Sequence, residues 1–474
     1  MKNVKNKGFT LIELLAVIVI LAIIALIATP IVINMIGNSK ESADERSSEL
    51  YLDAVEQAVA RKNLTEKFSP STCEIQSDGN LKCDGDTLLE VQVENTKPTS
   101  GTITFEKGKI IGYNFTLGSK ENLKLVPTAE SCFETKAVES GIEVTKYNCG
   151  KGAENEVLDV VIPNTINGKT VVSIGKGAFM SKGLESVKIP DSVSFIGELA
   201  FFNNKLTSIE IPSNLKVIGK TNFAQNQLTS VEIPNGVTSI EFSAFNNNQL
   251  TSIEIPSSVT SIGPLAFRSN KLETLKIPTS VTSIDGGAFS DNQLSDEEAF
   301  IYKRNSDGSI DNTELVSYGG KKKENVVIPN NVKIISDYAF STSNSTSKLV
   351  SVKIPEGVTT IGTGAFQTNQ LTSIEIPDSV TTIGGSAFSG NALTSIKIST
   401  NLTTIGNTAF NYNQLTKVEI PSSVTSIGTM AFGNNKLTSV VVKGKTSTSD
   451  FTSFGKRVFG WATGYSDSNI TFES

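Results

Sequence analysis

Leu250-Thr251-Ser252-Ile253-Glu254-Ile255-Pro256-Ser257-Ser258-Val259-Thr260-Ser261-Ile262-Gly263-Pro264-Leu265-Ala266-Phe267, with Asn270 shortly after, is one turn of the pattern that decides the architecture. Leu206, Leu228, Leu250, Leu272 and Leu294 recur every 22 residues, as do Leu349, Leu371, Leu393, Leu415 and Leu437. A unit this short cannot bury an apolar face alone, so a fixed period near 20 residues means stacked coils. Leu250, Ile253 and Ile255 alternate as the inward positions of a short strand. Pro256 ends that strand, because proline has no N–H to give to a ladder. Val259, Ile262, Ala266 and Phe267 fill the rest of the coil. Asparagine recurs two residues before the leucine, at Asn204, Asn226, Asn248, Asn270, Asn292, Asn369, Asn391, Asn413 and Asn435. A buried amide there can bond turn backbones from coil to coil.

Ala-Phe steps and their equivalents count about eleven coils from Phe179 to Phe432, a stack roughly 50 Å long at about 4.8 Å per strand. Departures are few: Asn222 stands for the alanine, Ser399 for the strand-ending proline, and Asn167-Gly168-Lys169 adds a loop to the first coil. The signature Ile255-Pro256, Val259-Thr260-Ser261-Ile262-Gly263 and Ala266-Phe267 closely resembles the BspA-like class of bacterial surface leucine-rich repeats. The resemblance implies a scaffold used in binding and adhesion, with no chemistry of its own.

The first block of repeats spans 151–294 and the second 326–443, with a C-terminal cap over 444–474. Between them, the 295–325 insertion carries Phe300-Ile301-Tyr302, a polar loop and Leu315-Val316-Ser317-Tyr318, which reads as an inserted β-hairpin or an irregular coil. Asn305, Asp307, Gly308, Ile310, Asp311 and Glu314 match an EF-hand calcium loop, but Lys303 stands where its first oxygen ligand belongs and no helices flank it. Asp-Gly in a hairpin turn explains the same residues, so no metal is expected. Outward positions on the strands include Ser208 and Glu210, Ser230 and Glu232, Ser252 and Glu254, then Thr274 and Lys276. Glu210, Glu232 and Glu254 stack one strand apart, where like charges repel, with Lys188 and Lys276 bordering the row. The row is either a solvated face or the dock of a basic partner.

At the other end of the chain, Lys7-Gly8-Phe9-Thr10-Leu11-Ile12-Glu13 joins a basic leader to an apolar run from Leu14 through Thr29. The run is long enough for a membrane helix of about 20 residues. A carboxylate near its start is costly in hydrocarbon, which points to a partner for Glu13. The arrangement resembles the class III signal of type IV prepilins and pseudopilins. That resemblance implies cleavage after Gly8 by a prepilin peptidase and methylation of the new amino terminus at Phe9. It also implies pairing of Glu13 with the terminal amine of a neighbouring pilin subunit. Lys2, Lys5 and Lys7 hold the leader in the cytoplasm. Pro30 favours a kink, and the spacing of Leu50, Ala54, Ala58 and Val59 continues the helix as an amphipathic one. The rod runs over 9–67, roughly 80 Å at 1.5 Å per residue.

A small antiparallel β head with a cysteine-stapled linker is expected over 68–150. Gly101–Phe105 and Ile110–Phe115 alternate apolar and polar residues around a turn. Cys73 and Cys83 flank a turn sequence, and Cys132 with Cys149 would staple the link to the repeats. The four cysteines admit three pairings, between which sequence does not choose. A four-thiolate metal site lacks knuckle spacing, and unpaired thiols are a further reading.

The chain has 474 residues, 38% of them hydrophobic, no histidine and a formal net charge of −6. Absent histidine removes His-dependent triads and His-ligated zinc, and mild acidity gives no nucleic-acid footprint. The expectation is therefore an α+β chain, with a long membrane-anchored helix, a pilin-like β head and a leucine-rich solenoid. It is not an enzyme and needs no cofactor. It inserts once in the cytoplasmic membrane and then reaches a pilus at the cell surface. There, as a minor or tip subunit, it presents the repeats to a surface protein or glycan. The alternative is a pseudopilin of a type II-like secretion or competence system, with the solenoid holding cargo. A surface hydrolase would need a clustered acid–base pair that the regular array does not supply.

Overall fold

Parallel stacking of nearly identical coils is the outcome of the 22-residue period, and the computed structural model shows how the repeated residues produce it. It describes residues 51–52, 54–60, 62, 70–84, 87–91, 97–106, 109–117, 120–125, 130–153, 157–343, 348–460 and 470–473. Gly8, Phe9, Glu13 and the apolar run lie outside these residues. Among those described, no helix is long and apolar enough to cross a membrane. The chain divides into two compact units, Met1–Pro127 and Thr128–Ser474.

In the first unit, residues 51–52 and 54–60 are helical, and Tyr51, Val55 and Val59 bury one face at four-residue spacing. Six antiparallel strands follow, in the spatial order Thr87–Leu89, Leu81–Cys83, Thr72–Ile75, Gly101–Glu106, Lys109–Leu117, Lys120–Leu125. Ile75, Leu81, Ile103, Phe105 and Phe115 join the helical residues in one core. Cys73 and Cys83, partners on a single rung, form a disulfide.

The second unit begins earlier than the sequence pattern indicates. Residues 128–150, expected as the cysteine-stapled linker after the β head, belong to the solenoid unit. There the hairpin of Phe133–Val138 with Gly141–Tyr147 pairs in parallel with Lys169–Ile174. The physical reason is Tyr147, whose buried ring stacks on Phe179 at 5.2 Å and starts the aromatic column. The Cys132–Cys149 disulfide closes this cap.

The ring column continues through Phe201, Phe223, Phe245, Phe267 and Phe289, each ring 5.0–5.6 Å from the last. A second column runs from Tyr318 through Phe340, Phe366, Phe388, Phe410 and Phe432 to Phe459. Beside the rings, each buried asparagine joins two coils. Asn226 Oδ1 accepts from Leu206 N at 3.1 Å, while Nδ2 donates to Phe201 O at 3.0 Å and Phe223 O at 3.1 Å. The two polar replacements, Asn222 and Ser399, are also satisfied. Asn222 accepts from Gly219 N and donates to Gly197 O, and Ser399 Oγ donates to Val380 O.

The continuous ladder is on a different side of the coil from the one the sequence pattern suggests. Steps such as Val217–Ile218, Ser239–Ile240, Ser261–Ile262 and Ser283–Ile284 pair without a break, whereas the Leu250–Ile255 side pairs intermittently. Threonine hydroxyls reinforce the former: Thr260 Oγ1 donates to Thr238 O, and Thr403 Oγ1 to Thr381 O.

The insertion is a hairpin, Phe300–Arg304 with Ile310–Tyr318, whose return strand enters the stack. Leu315 pairs with Ile335, and Tyr318 supplies the ring that a phenylalanine supplies elsewhere. Regular coils use five residues from ladder to ring, as in Ile284 to Phe289, while this strand uses three, Leu315 to Tyr318. The corner is skipped, and the turns on either side approach each other at Gly286 and Asp337. A Cβ on Gly286 would stand 2.1 Å from Asp337 O, so only glycine permits that approach. Val316 lies in the buried cluster that begins at Cys132, and Leu315 and Tyr318 lie in the one that ends at Phe459. The return strand thus divides the core.

Gly286→Ala is expected to destabilise the solenoid by about 1–3 kcal/mol through overpacking. Gly385→Ala at the equivalent position, where the nearest atom is Asn407 O at 3.3 Å, should cost less. Asn226→Ala strands the buried Leu206 N–H, while Phe201 O and Phe223 O keep the amides of Asn204 and Asn248, and should cost about 1–3 kcal/mol. Thermal unfolding of the purified full-length chain in detergent checks all three.

Candidate interaction surface

Because the inward positions are repeated Leu, Ile, Val and Phe, only outward positions can differ between coils. Lys188, Glu210, Glu232, Glu254 and Lys276 are all exposed on successive coils, each between buried or half-buried neighbours. The backbones of Glu254 and Lys276 form a parallel bridge. Among the described residues, none of the three carboxylates has a cation within 4.0 Å. The second block differs: Lys397 pairs with Glu375, and Lys443 pairs with both Glu473 and Glu419. Hydrogen bonding and charge from Glu375 raise the Lys397 ammonium above its ordinary value. In the second block Glu375, Lys397, Glu419 and Lys443 are paired; the first block leaves an acidic row.

The insertion loop uses its carboxylates internally. Asp307 Oδ1 accepts from Ser309 N and Oγ, Asp311 Oδ1 from Thr313 N and Oγ1, and Glu314 from Lys303 Nζ at 2.7 Å. Those bonds hold Asp307 and Asp311 below the ordinary carboxylate range. Arg304 pins the hairpin by donating to Gly308 O at 2.8 Å and Ile277 O at 3.5 Å.

The skipped corner leaves a concavity on the ladder side that sequence reasoning missed. A groove of about 530 Å³ is lined by Asp285, Lys303, Glu314, Asp337 and Tyr338, among others. A second, of about 480 Å³, adjoins it and includes Glu241 and Phe242. Pro264 and Asp285 line both. Burial raises the Asp285 carboxyl, partly offset by the Ser283 hydroxyl, which donates to it at 3.5 Å. The available signal was the glycine of Ile262-Gly263, replaced by Glu241 and Asp285 in the coils on either side.

Behind the groove, burial lowers the Arg268 guanidinium, opposed by the Asp291 carboxylate. Lys323 is likewise lowered by burial, donates to Gly320 O at 2.7 Å and lies 6.0 Å from the Tyr318 ring centroid. The Lys323 bond braces the junction, while Arg268 Nε is buried with no hydrogen-bond partner among the described residues.

Stacked coils, an asparagine column and a ring column define a leucine-rich-repeat protein. The description "BspA type leucine rich repeat region" matches residues 172–295 and 315–439, more than half of the chain. The chain belongs to this family. Residues 3–29 match the prokaryotic N-terminal methylation motif. No curated protein matches the chain. Among solved structures it is similar to a leucine-rich cell surface protein from Faecalibacterium prausnitzii A2-165, at 24% identity and a TM-score of 0.43, covering 74% of this chain and 95% of that one. It is also similar to a leucine-rich repeat protein from Eubacterium ventriosum (21%, TM-score 0.43, 62% and 84% covered). The pneumococcal vaccine antigen PcpA aligns at 22%, with a TM-score of 0.44 and 70% and 84% covered.

Glu232 has a carboxylate on each side, so Glu232→Lys should raise the melting temperature at low salt. The gain should shrink as salt rises and screens exposed charges. Scanning calorimetry at two ionic strengths checks this.

Proposed function

We propose that the chain is a minor or tip subunit of a type IV pilus that presents its leucine-rich solenoid at the cell surface for adhesion or partner recognition. The observation that carries the reading is one chain bearing the N-terminal methylation motif over 3–29 and the surface-type repeats over 172–439. On this reading a prepilin peptidase cuts after Gly8, Phe9 becomes the methylated amino terminus, and residues 9–67 form the assembly rod. The first unit is then the pilin-like head. Glu13 pairs with a neighbour's terminal amine, since an unpaired carboxylate and an unpaired ammonium are both penalised in hydrocarbon. A unit running from Thr128 to Ser474 would crowd a filament that repeated it in every subunit, which favours a minor position. The acidic row Glu210, Glu232 and Glu254 is offered to a basic partner, with Lys188 and Lys276 at its borders. Long-range attraction to such a partner weakens with salt.

Intact mass spectrometry of the protein from its host should give a mature chain beginning at methylated Phe9; any other start removes the prepilin reading. Glu13→Ala should leave membrane insertion intact and lower incorporation into sheared filaments. Wild-type incorporation of that variant would remove the pairing role. Fractionation to a secretion apparatus, with no filament carrying the protein, would favour the pseudopilin reading.

A further inference from the structure

The two adjoining grooves on the ladder side have a chemistry that the acidic row lacks. Four carboxylates, Glu241, Asp285, Glu314 and Asp337, face three cations, Lys220, Lys303 and Arg304. Glu314 is neutralised by Lys303, and Arg304 is committed to backbone carbonyls. Asp337 accepts from Thr363 N at 2.6 Å. The grooves therefore carry no strong field of one sign, and a polyanion or polycation finds little to steer it. What they offer is carboxylate and hydroxyl acceptors beside apolar faces. Phe242 is 42% exposed, a large ring turned to solvent; Pro264 adjoins both grooves, and Tyr338 is half-buried at the skipped corner.

Asp285 is the centre of this arrangement. Among the described residues, the hydrogen bond to its carboxylate comes from Ser283 Oγ, at the long distance of 3.5 Å. Asp285 is exposed on the wall shared by both grooves, with acceptor capacity left for a ligand that brings hydroxyl or N–H donors, whereas an apolar ligand laid over it would remove its water without replacing the bonds. Glu241 occupies the equivalent position two coils earlier, about 10 Å away at the spacing of stacked strands, with Phe242 next to it on the same coil and Pro264 on the coil between.

We propose that the joined grooves bind a neutral oligosaccharide, its hydroxyls on Asp285 and Glu241 and its C–H ring faces on Phe242 and Pro264. A pyranose combines these features in one unit: a rim of hydroxyl donors and an apolar face. Each groove is within the size range of small-molecule sites, about 300–1,000 Å³. The proposal concerns the ladder side and does not depend on the pilus reading or on the acidic row.

The test uses the full-length chain, purified in a detergent without a sugar headgroup and applied to an array of neutral, sialylated and sulfated glycans and of basic peptides. The expected result is binding to neutral glycans that persists at high salt. Asp285→Ala and Phe242→Ala should each weaken it about tenfold or more with unchanged melting. If Asp285→Ala melts early, Asp285→Asn replaces it. Glutamine at all three of Glu210, Glu232 and Glu254 should leave glycan binding intact. The proposal is overturned by absent binding to every neutral glycan, by binding confined to charged glycans or peptides, or by full binding in both groove variants.

Discussion

The asparagine amide buried before each leucine is the constraint on which the solenoid depends. Each coil turns twice through left-handed residues, such as Leu199 and Asn203 in one coil and Thr221 and Gln225 in the next. These turns direct the carbonyls of Phe201, Phe223 and their equivalents inward, where no water reaches them. Asparagine supplies one acceptor and two donors at that depth, so it satisfies both its own coil and the preceding one. Fixing the amide fixes the rise between coils, and the rise sets the 5 Å spacing of the rings and the register of the ladder. A side chain without both functions would leave buried polar groups unpaired at every step.

The hairpin interruption shows what the stack tolerates. Tyr318 replaces the ring, and its hydroxyl donates to Lys322 O at 2.8 Å. The Ser317 hydroxyl accepts from Phe289 N at 3.0 Å, where regular coils use an alanine carbonyl. Among the described residues, no ring contact joins Phe289 to Tyr318, so the aromatic column is cut at the same place as the core. The parts of a coil are exchangeable when each backbone group keeps a partner and each ring position keeps a ring or a polar substitute. The corner is not exchanged but omitted, and the omission creates the concavity.

Much of the solenoid was legible because a one-dimensional stack repeats its rules. Leucine, asparagine and Ala-Phe positions could be read coil by coil, and the insertion appeared as a break in period. The ladder side was not legible, since Ile253–Ile255 and Val259–Ile262 both carry the β-branched residues of a strand. Only the pairing in three dimensions separates them, step by step from Val217 to Ile284 on one side and interrupted on the other. The 128–150 stretch read as a cysteine-stapled linker, because it precedes the first recognisable repeat; Tyr147 reveals its role only when its ring meets Phe179. Asp285 and Phe242 looked like drift from a consensus, because a groove formed by a missing corner has no signature in the residues that line it.

Regularity and recognition therefore occupy different places in this fold. Where coils follow the rule, outward charges either pair between coils, as Glu375 does with Lys397, or stand in a plain row, as Glu210, Glu232 and Glu254 do. A flat row on rigid strands can attract a partner by charge, but it excludes little water and distinguishes few shapes. A cavity needs a departure from the repeat, and a departure is tolerated only if the buried backbone is satisfied by other means. Gly287 N bonded to Val316 O, the Ser317 hydroxyl and the Lys323 ammonium on Gly320 O meet that requirement around the hairpin. The same substitutions that keep the interrupted stack folded thus leave Asp285, Pro264 and Tyr338 around an open concavity, so the shaped surface of this solenoid lies where its period fails.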